Sequence, residues 1–280
     1  MSFLETIMSG ENFQKLCDVY LGMEHRGYNN PRIMSDVHKH KTLASITTVW
    51  DNPTVVYCYG DGLRDLITRI QYFKNKFVLI SHNSDANINE TYMQILEHPL
   101  LVKWFAQNVM MEHPKLHILP IGIANQMWDH GNVHTLANAR QYSKTKEDRI
   151  YFFFNTGTNV QERVPCKNRI TNKGLAFGSN QSHADYLRNM AGCKFAISPP
   201  GNGVDCHRIW ECYYLNVIPI LLRSSFTEQL HRILPCILLT SWDDFDQASI
   251  MCQYDTLISQ LDQKWLDIRY FKTLIENEIA

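Results

Sequence analysis

The sequence predicts an α/β protein built from two halves, on three observations. Short apolar runs rich in Val, Ile and Phe alternate with longer amphipathic stretches, the pattern of βα units that feed parallel sheets. The alternation breaks at a polar stretch, 138–149 (NARQYSKTKEDR), and restarts at Ile150. The chain has 280 residues, enough for about two domains of ordinary size.

The elements follow in order. In the first half, 54–59 (TVVYCY) reads as a strand and 62–73 as a helix, with Leu63, Leu66, Ile67 and Ile70 at helical spacing. Residues 77–81 read as the next strand, 91–96 as a short helix ended near Pro99, and 116–121 as an apolar segment leading into Gly122. The polar stretch 138–149 reads as an interdomain linker or a long surface helix. In the second half, 150–154 (IYFFF) is a strand, 155–159 a polar loop, 183–192 a helix, and 194–198 a strand ended by Pro199-Pro200. A glycine-containing loop, a helix over about 206–216, a strand at 217–222, a helix around 226–233 and a strand at 236–240 complete it. The tail, 254–279, reads as one or two amphipathic helices.

Composition excludes several classes. Lys plus Arg number 27 and Asp plus Glu 28, a formal net charge of −1, which argues against gripping nucleic acid or an anionic membrane. Hydrophobic residues make up 45%, so the chain can bury a sizeable core. No apolar run approaches the ~20 residues of a membrane span. The opening MSFLETIMSGENF has neither a basic n-region nor an apolar h-region, so no secretory signal is expected. The 8 Cys form no CxxC pair and several sit in apolar runs, so free buried thiols in a reducing cytosol are expected, not a zinc site or a disulfide framework.

The chemistry points to 195–222, FAISPPGNGVDCHRIWECYYLNVIPILL. A strand ends at Ser198, the loop Gly201-Asn202-Gly203 follows, and a helix opens near Asp205. Open parallel sheets bind ligands beyond the carboxyl ends of their strands, and a helix N-terminus suits phosphate. Arg208 falls in the first turn, where its fork can hold two phosphate oxygens. Glu211 follows on nearly the same face, one turn deeper, where a carboxylate can accept from two sugar hydroxyls. The same spacing also fits an ordinary surface ion pair between Arg208 and Glu211. Neither GxGxxG nor the Walker pattern occurs.

This string resembles the signature of exostosin-like glycosyltransferases, family 47 and its viral and bacterial relatives. The shared order is Pro200-Gly201, Arg208, Trp210-Glu211 and Asn216-Val217-Ile218-Pro219-Ile220. Leu234-Pro235 with Trp242-Asp243-Asp244 resembles a later element of the family, and 119–123 (LPIGI) with Trp128 a first-domain segment. The likeness covers about 60 residues of the second half and is weak over the first 110. It is strongest to small glycosyltransferases of large algal DNA viruses, some of which transfer xylose.

The resemblance implies a GT-B fold: two facing Rossmann-like domains, an acceptor domain over 1–143 and a nucleotide-sugar domain over 144–253, with C-terminal helices over 254–280 packing back on the first. It implies an inverting transfer from a UDP-sugar to a glycan or glycoprotein hydroxyl. Animal Golgi members carry an anchor and lumenal disulfides that this sequence does not show, so the expected location is the cytoplasm, host cytoplasm if viral. No metal or other cofactor is expected, and no nucleic acid or membrane span. Carried over, Arg208 neutralises the diphosphate, Glu211 binds the ribose, and the loop of Pro200, Gly201, Asn202 and Gly203 approaches the phosphates. Arg163, in the loop after the 150–154 strand, reaches the β-phosphate. The family's paired Arg is His207-Arg208 here, which makes the first charge pH-dependent, and Asn216 stands for a usual Gly.

The general base is expected from the first half, with Asp85 first, then Asp61 and His82, all following strand ends. Trp50, Tyr59, Trp104 and Trp128 are core residues or stack on acceptor sugars. The acidic run Asp243, Asp244 and Asp246 reads as helix capping rather than a metal cluster. A nucleotide- or glycan-binding module without catalysis is the competing class. A Rossmann oxidoreductase lacks its fingerprint, and a metal hydrolase lacks HExxH.

Overall fold

The computed structural model describes residues 3–22, 39–42 and 54–279. Its strands are β1 (Val19–Gly22), β2 (His40–Thr42), β3 (Thr54–Tyr59), β4 (Phe77–His82), β5 (Leu101–Ala106), β6 (Leu116–Ile118), β7 (Glu147–Tyr151), β8 (Cys193–Ile197), β9 (Ile218–Leu222) and β10 (Ile237–Leu239). Its α-helices are α1 (Gly10–Lys15), α2 (Leu63–Arg69), α3 (Met93–Leu96), α4 (Val133–Ala139), α5 (Val160–Asn172), α6 (His183–Ala191), α7 (His207–Tyr214), α8 (Ser225–His231), α9 (Gln247–Met251), α10 (Tyr254–Ser259) and α11 (Ile268–Ile279). The class is α/β, with two parallel sheets of 6 and 4 strands, of Rossmann-like type.

Contacts divide the chain into a first unit, Met8–Ile121 with Asp267–Ala280, and a second unit, Met1–Ile7 with Gly122–Leu266. The division falls at Ile121/Gly122 rather than at 143/144 because α4 packs on α6 of the second unit. The tail also divides: α10 belongs with the second unit and α11 with the first. The stretch 138–149 is neither linker nor long helix; it ends α4, makes a 3₁₀ turn and enters β7.

In the first unit the order is β2-β1-β3-β4-β5-β6. The central strands β3 and β4 are buried at every position, which is why they read as unbroken apolar runs. One core joins Val56, Leu79 and Trp104 of the sheet to Leu66 of α2 and Ile95 of α3. Elsewhere Phe13 of α1 meets Phe271 of α11 edge to face at 5.6 Å, and α11 lies on β4 and β5. Trp104 is fully buried and its indole N–H donates to Ser81 Oγ at 2.9 Å, so it is a satisfied core residue.

In the second unit the order is β10-β9-β8-β7, each strand beside its sequence neighbour. A core gathers Phe195, Ile197, Ile218 and Ile220 against Ile170 of α5 and Tyr254 of α10. Helices α6, α7 and α8 pack on β8, β9 and β10. Lys146 Nζ donates to the carbonyls of Ala191 and Leu215, both at 2.7 Å, and so ties the C-terminal ends of α6 and α7 together. Burial lowers its pKa to about 8. Helix α7 stops in a Schellman closure. Asn216 takes φ 52°, its N–H donates to Tyr213 O at 3.0 Å, and Val217 N–H donates to Cys212 O at 2.8 Å. Asn is among the few non-glycine residues that tolerate this left-handed position.

All eight cysteines are free, and only Cys252 is exposed. Among the described residues, no helix is long and apolar enough to cross a membrane.

Candidate functional site

The loop after β8 is a built structure. Pro199 and Pro200 have no N–H to give and end the strand. Gly201 N–H donates to Gly203 O at 3.1 Å and closes the turn, while Asn159 Nδ2 donates to Gly201 O at 2.7 Å. Arg163 lies within the first turns of α5, not in the loop where the sequence placed it. It is buried, and it joins two strand ends by donating from Nε to Pro200 O and from Nη1 to Asn155 O, each at 2.8 Å. Burial lowers its pKa. Neither Gly201 nor Gly203 takes a left-handed φ, and Asn202 is exposed. The same loop walls a cleft of about 250 Å³ at the ends of β8 and β9, edged by Ser198, Pro200, Val204, Leu222, Ser224 and Thr227.

Helix α7 opens past this loop. Buried Asp205 accepts from the indole N–H of Trp210 at 2.7 Å, which fixes the entry of the chain to the helix. Arg208 Nη1 donates to Phe153 O at 2.8 Å, and its guanidinium carbon stands 5.1 Å from the ring centre of Tyr186. Its buried Nε has no hydrogen-bond partner among the described residues. Burial disfavours the Arg208 charge, but nearby Tyr186, Cys212, Cys206 and Glu211 more than offset this and raise its pKa.

Arg208 and Glu211 are not a surface ion pair: each makes its hydrogen bonds elsewhere. Glu211 is only 5% exposed and accepts from Tyr186 Oη at 2.6 Å and from His183 Nε2 at 3.3 Å. Burial works to raise its pKa, yet the bonds from His183 and Tyr186 prevail and its carboxyl stays below the usual range.

Imidazoles gather on the same side. His183 opens α6 and His207 opens α7, as their first helical residues. The ring of His130, from the 3₁₀ turn Asp129–Gly131, stands 6.1 Å from that of His183 and 6.3 Å from that of His207. His207 Nδ1 donates to Gly122 O at 2.8 Å. The Nδ1 of His183 is buried and has no partner among the described residues. Two helix first turns, a fixed guanidinium and three imidazoles therefore converge, an arrangement that attracts anions. His183, His130 and Tyr186 were not among the sequence candidates. Spacing could have offered one signal only: His183 opens its helix as His207 does, with Tyr186 three residues on.

The first-unit candidates fall out differently. His82 is buried against Phe13 and uses both ring nitrogens: Nδ1 accepts from Asn83 N–H at 2.8 Å and Nε2 donates to Pro120 O at 3.0 Å. It is a core histidine without a nitrogen left to serve as base. Asp61, at the end of β3, accepts from Ser84 Oγ at 2.5 Å, and Asp85 is exposed. Asn83 takes φ 57° and donates from Nδ2 to Tyr57 Oη at 2.7 Å. A Cβ on Gly60 would meet Ser84 Cβ at 2.5 Å, so only glycine lets the two loops close this far.

Two members of the acidic run are caps, Asp244 accepting from Ser241 N–H and Asp246 from Ser249 N–H, whereas Asp243 accepts from Ser241 Oγ and pairs with Arg169 at 3.3 Å. Among the described residues no group of three or more His, Cys, Asp or Glu is placed to hold a metal ion. Tyr59 is buried, Trp128 is 51% exposed, and Trp50 lies outside the described residues. No family model matches the chain, and no curated protein matches it.

Proposed function

We propose that the chain is an inverting glycosyltransferase of GT-B architecture that moves a sugar, xylose among the candidates, from a UDP-sugar to a hydroxyl of a glycan acceptor. The observation that best supports this is the cationic convergence past β8, where Arg208 is locked by Phe153 with a buried N–H to spare. In the transfer the acceptor oxygen attacks the anomeric carbon, the bond to the diphosphate oxygen breaks, and the diphosphate gains negative charge. Arg208, His207 and the first turn of α7 meet that charge as it develops. Arg163 spends its Nε and Nη1 on two carbonyls, so it shapes the Pro200–Gly203 loop beside the phosphates. A carboxylate has about four acceptor positions, and Tyr186 and His183 occupy two on Glu211, leaving room for the ribose hydroxyls.

The acceptor proton goes to a carboxylate of the first unit, Asp61 or Asp85. The strand order reverses between β1 and β3, and open sheets bind ligands at such reversals. This favours Asp61, which follows β3 directly.

The test is UDP release from a panel of UDP-sugars, UDP-xylose included, with a glycan acceptor and excess EDTA. Turnover is expected in EDTA, and Arg208→Ala is expected to slow it by about 100-fold, the usual loss of one transition-state contact. Turnover by Arg208→Ala within a few-fold of the parent would refute the assignment. UDP binding without turnover of any sugar would leave a binding module, not an enzyme.

A further inference from the structure

We infer that Trp128 and His130 form the floor on which the nucleobase of a bound nucleotide stacks. This rests on the nucleotide reading above and extends it to a part of the ligand not yet assigned. Trp128 is 51% exposed, so a large part of its flat indole is open to a ligand. The exposure does not come from a loose loop. Trp128 N–H donates to Asn125 O at 3.0 Å and Gly131 N–H donates to Trp128 O at 2.7 Å. Gly131 is pressed onto Asn125 so closely that a Cβ there would lie 1.9 Å from its carbonyl oxygen. The turn is therefore tight, and it fixes the point from which the indole projects.

The indole lies nearly parallel to the His130 ring, 19° between planes with centres 6.3 Å apart, so the two make one offset surface. That surface runs back to the anion site through His130, whose ring abuts His183 and His207. His183 in turn bonds Glu211 and stacks at 26° on Tyr186, which carries the Arg208 guanidinium over its ring. The sequence of groups is thus guanidinium, carboxylate, imidazole, flat aromatic surface. A nucleotide presents phosphate, ribose and base in the same order. The base is the part that reaches Trp128 when the ribose is at Glu211; the transferred sugar hangs from the opposite end of the diphosphate.

The experiment is calorimetric titration of the full chain with two probes, UDP and inorganic pyrophosphate, against the parent, Trp128→Ala and Arg208→Ala. Trp128→Ala is expected to weaken UDP about tenfold or more, the usual worth of one base on an aromatic ring, and to leave pyrophosphate affinity unchanged. Arg208→Ala is expected to weaken both. Trp128→Phe, which keeps a ring, is expected to recover most of the UDP affinity. UDP affinity unchanged in Trp128→Ala overturns the inference while Arg208→Ala can still uphold the nucleotide site. An equal loss of UDP and pyrophosphate in Trp128→Ala also overturns it, because the indole would then act on the anion site rather than on the base. If the parent binds neither probe, the nucleotide reading fails and this inference with it.

Discussion

Replacing Tyr186 by Phe isolates one hydrogen bond of the site. The phenol O–H donates to buried Glu211 at 2.6 Å, while the ring packs under the Arg208 guanidinium at 5.1 Å and on His183 at 5.6 Å. Phe keeps both ring contacts and removes only the donor. A hydrogen bond to a buried charged group contributes about 1.5–3 kcal/mol, so the variant loses roughly that much stability at pH 7. Losing that donor moves the Glu211 carboxyl upward, because the bond from Tyr186 helps hold the ionised form. In the parent this carboxyl lies below its ordinary value. Its stabilising contribution is therefore present above the ordinary carboxylate pKa and disappears as the pH falls through the lowered value. The gap between the parent and the Tyr186→Phe variant is thus expected to be largest near neutrality and to shrink as Glu211 takes up its proton. Urea unfolding at a series of pH values reads this directly, with the slope against denaturant unchanged. A Tyr186→Phe protein as stable as the parent at pH 7, or a gap independent of pH, would refute the reasoning.

Other substitutions test other parts of the architecture. Asn216→Gly, at the left-handed stop of α7, is expected to gain about 0.5–1 kcal/mol and Asn216→Ala to lose about 1 kcal/mol, read from urea midpoints; an Ala variant at least as stable as the parent would contradict the geometry. Gly60→Ala forces a contact at 2.5 Å with Ser84 Cβ and is expected to cost about 1–3 kcal/mol, checked by thermal unfolding. Burial pushes the thiols of Cys212 and Cys236 up to about 12 and raises the phenols of Tyr57, Tyr186 and Tyr213. These groups stabilise the fold fully below their unfolded pKa values and less as the pH climbs above them, so the melting temperature is expected to fall from about pH 9 upward. Lys146, lowered to about 8 from 10.5, works the other way over that interval, but it is one group against several. A melting temperature that stays level to about pH 11 would contradict the assignment.

The sequence made the buried middle of each sheet legible and its margins obscure. β3, β4, β8 and β9 are enclosed, so they stand out as apolar runs. β7 is an edge strand whose first three residues, Glu147, Asp148 and Arg149, are exposed, which disguised its start as part of a polar stretch. Helix α5 buries only Arg163, Cys166 and Ile170 and contains Pro165, so it gave no apolar stripe to follow. Within the site, Arg208 and Glu211 share one helix and their spacing exposed them. His130 reaches that place from a turn, and His183 and Tyr186 from a different helix, α6, and no local pattern links segments that meet only after the sheet has formed.

The first unit is assembled from both ends of the chain, because α11 completes the face of β4 and β5 and sets Phe271 against Phe13. During synthesis every strand of that sheet leaves the ribosome before the helix that seals it, whereas the second unit has all of its residues once Leu266 is made. The sheet of β1 to β6, whose strands all precede β7, is thus sealed last. A premature stop after Leu266 would spare the sheet of β7 to β10 and leave a bare apolar surface on the older half, where chaperones and proteases would find it.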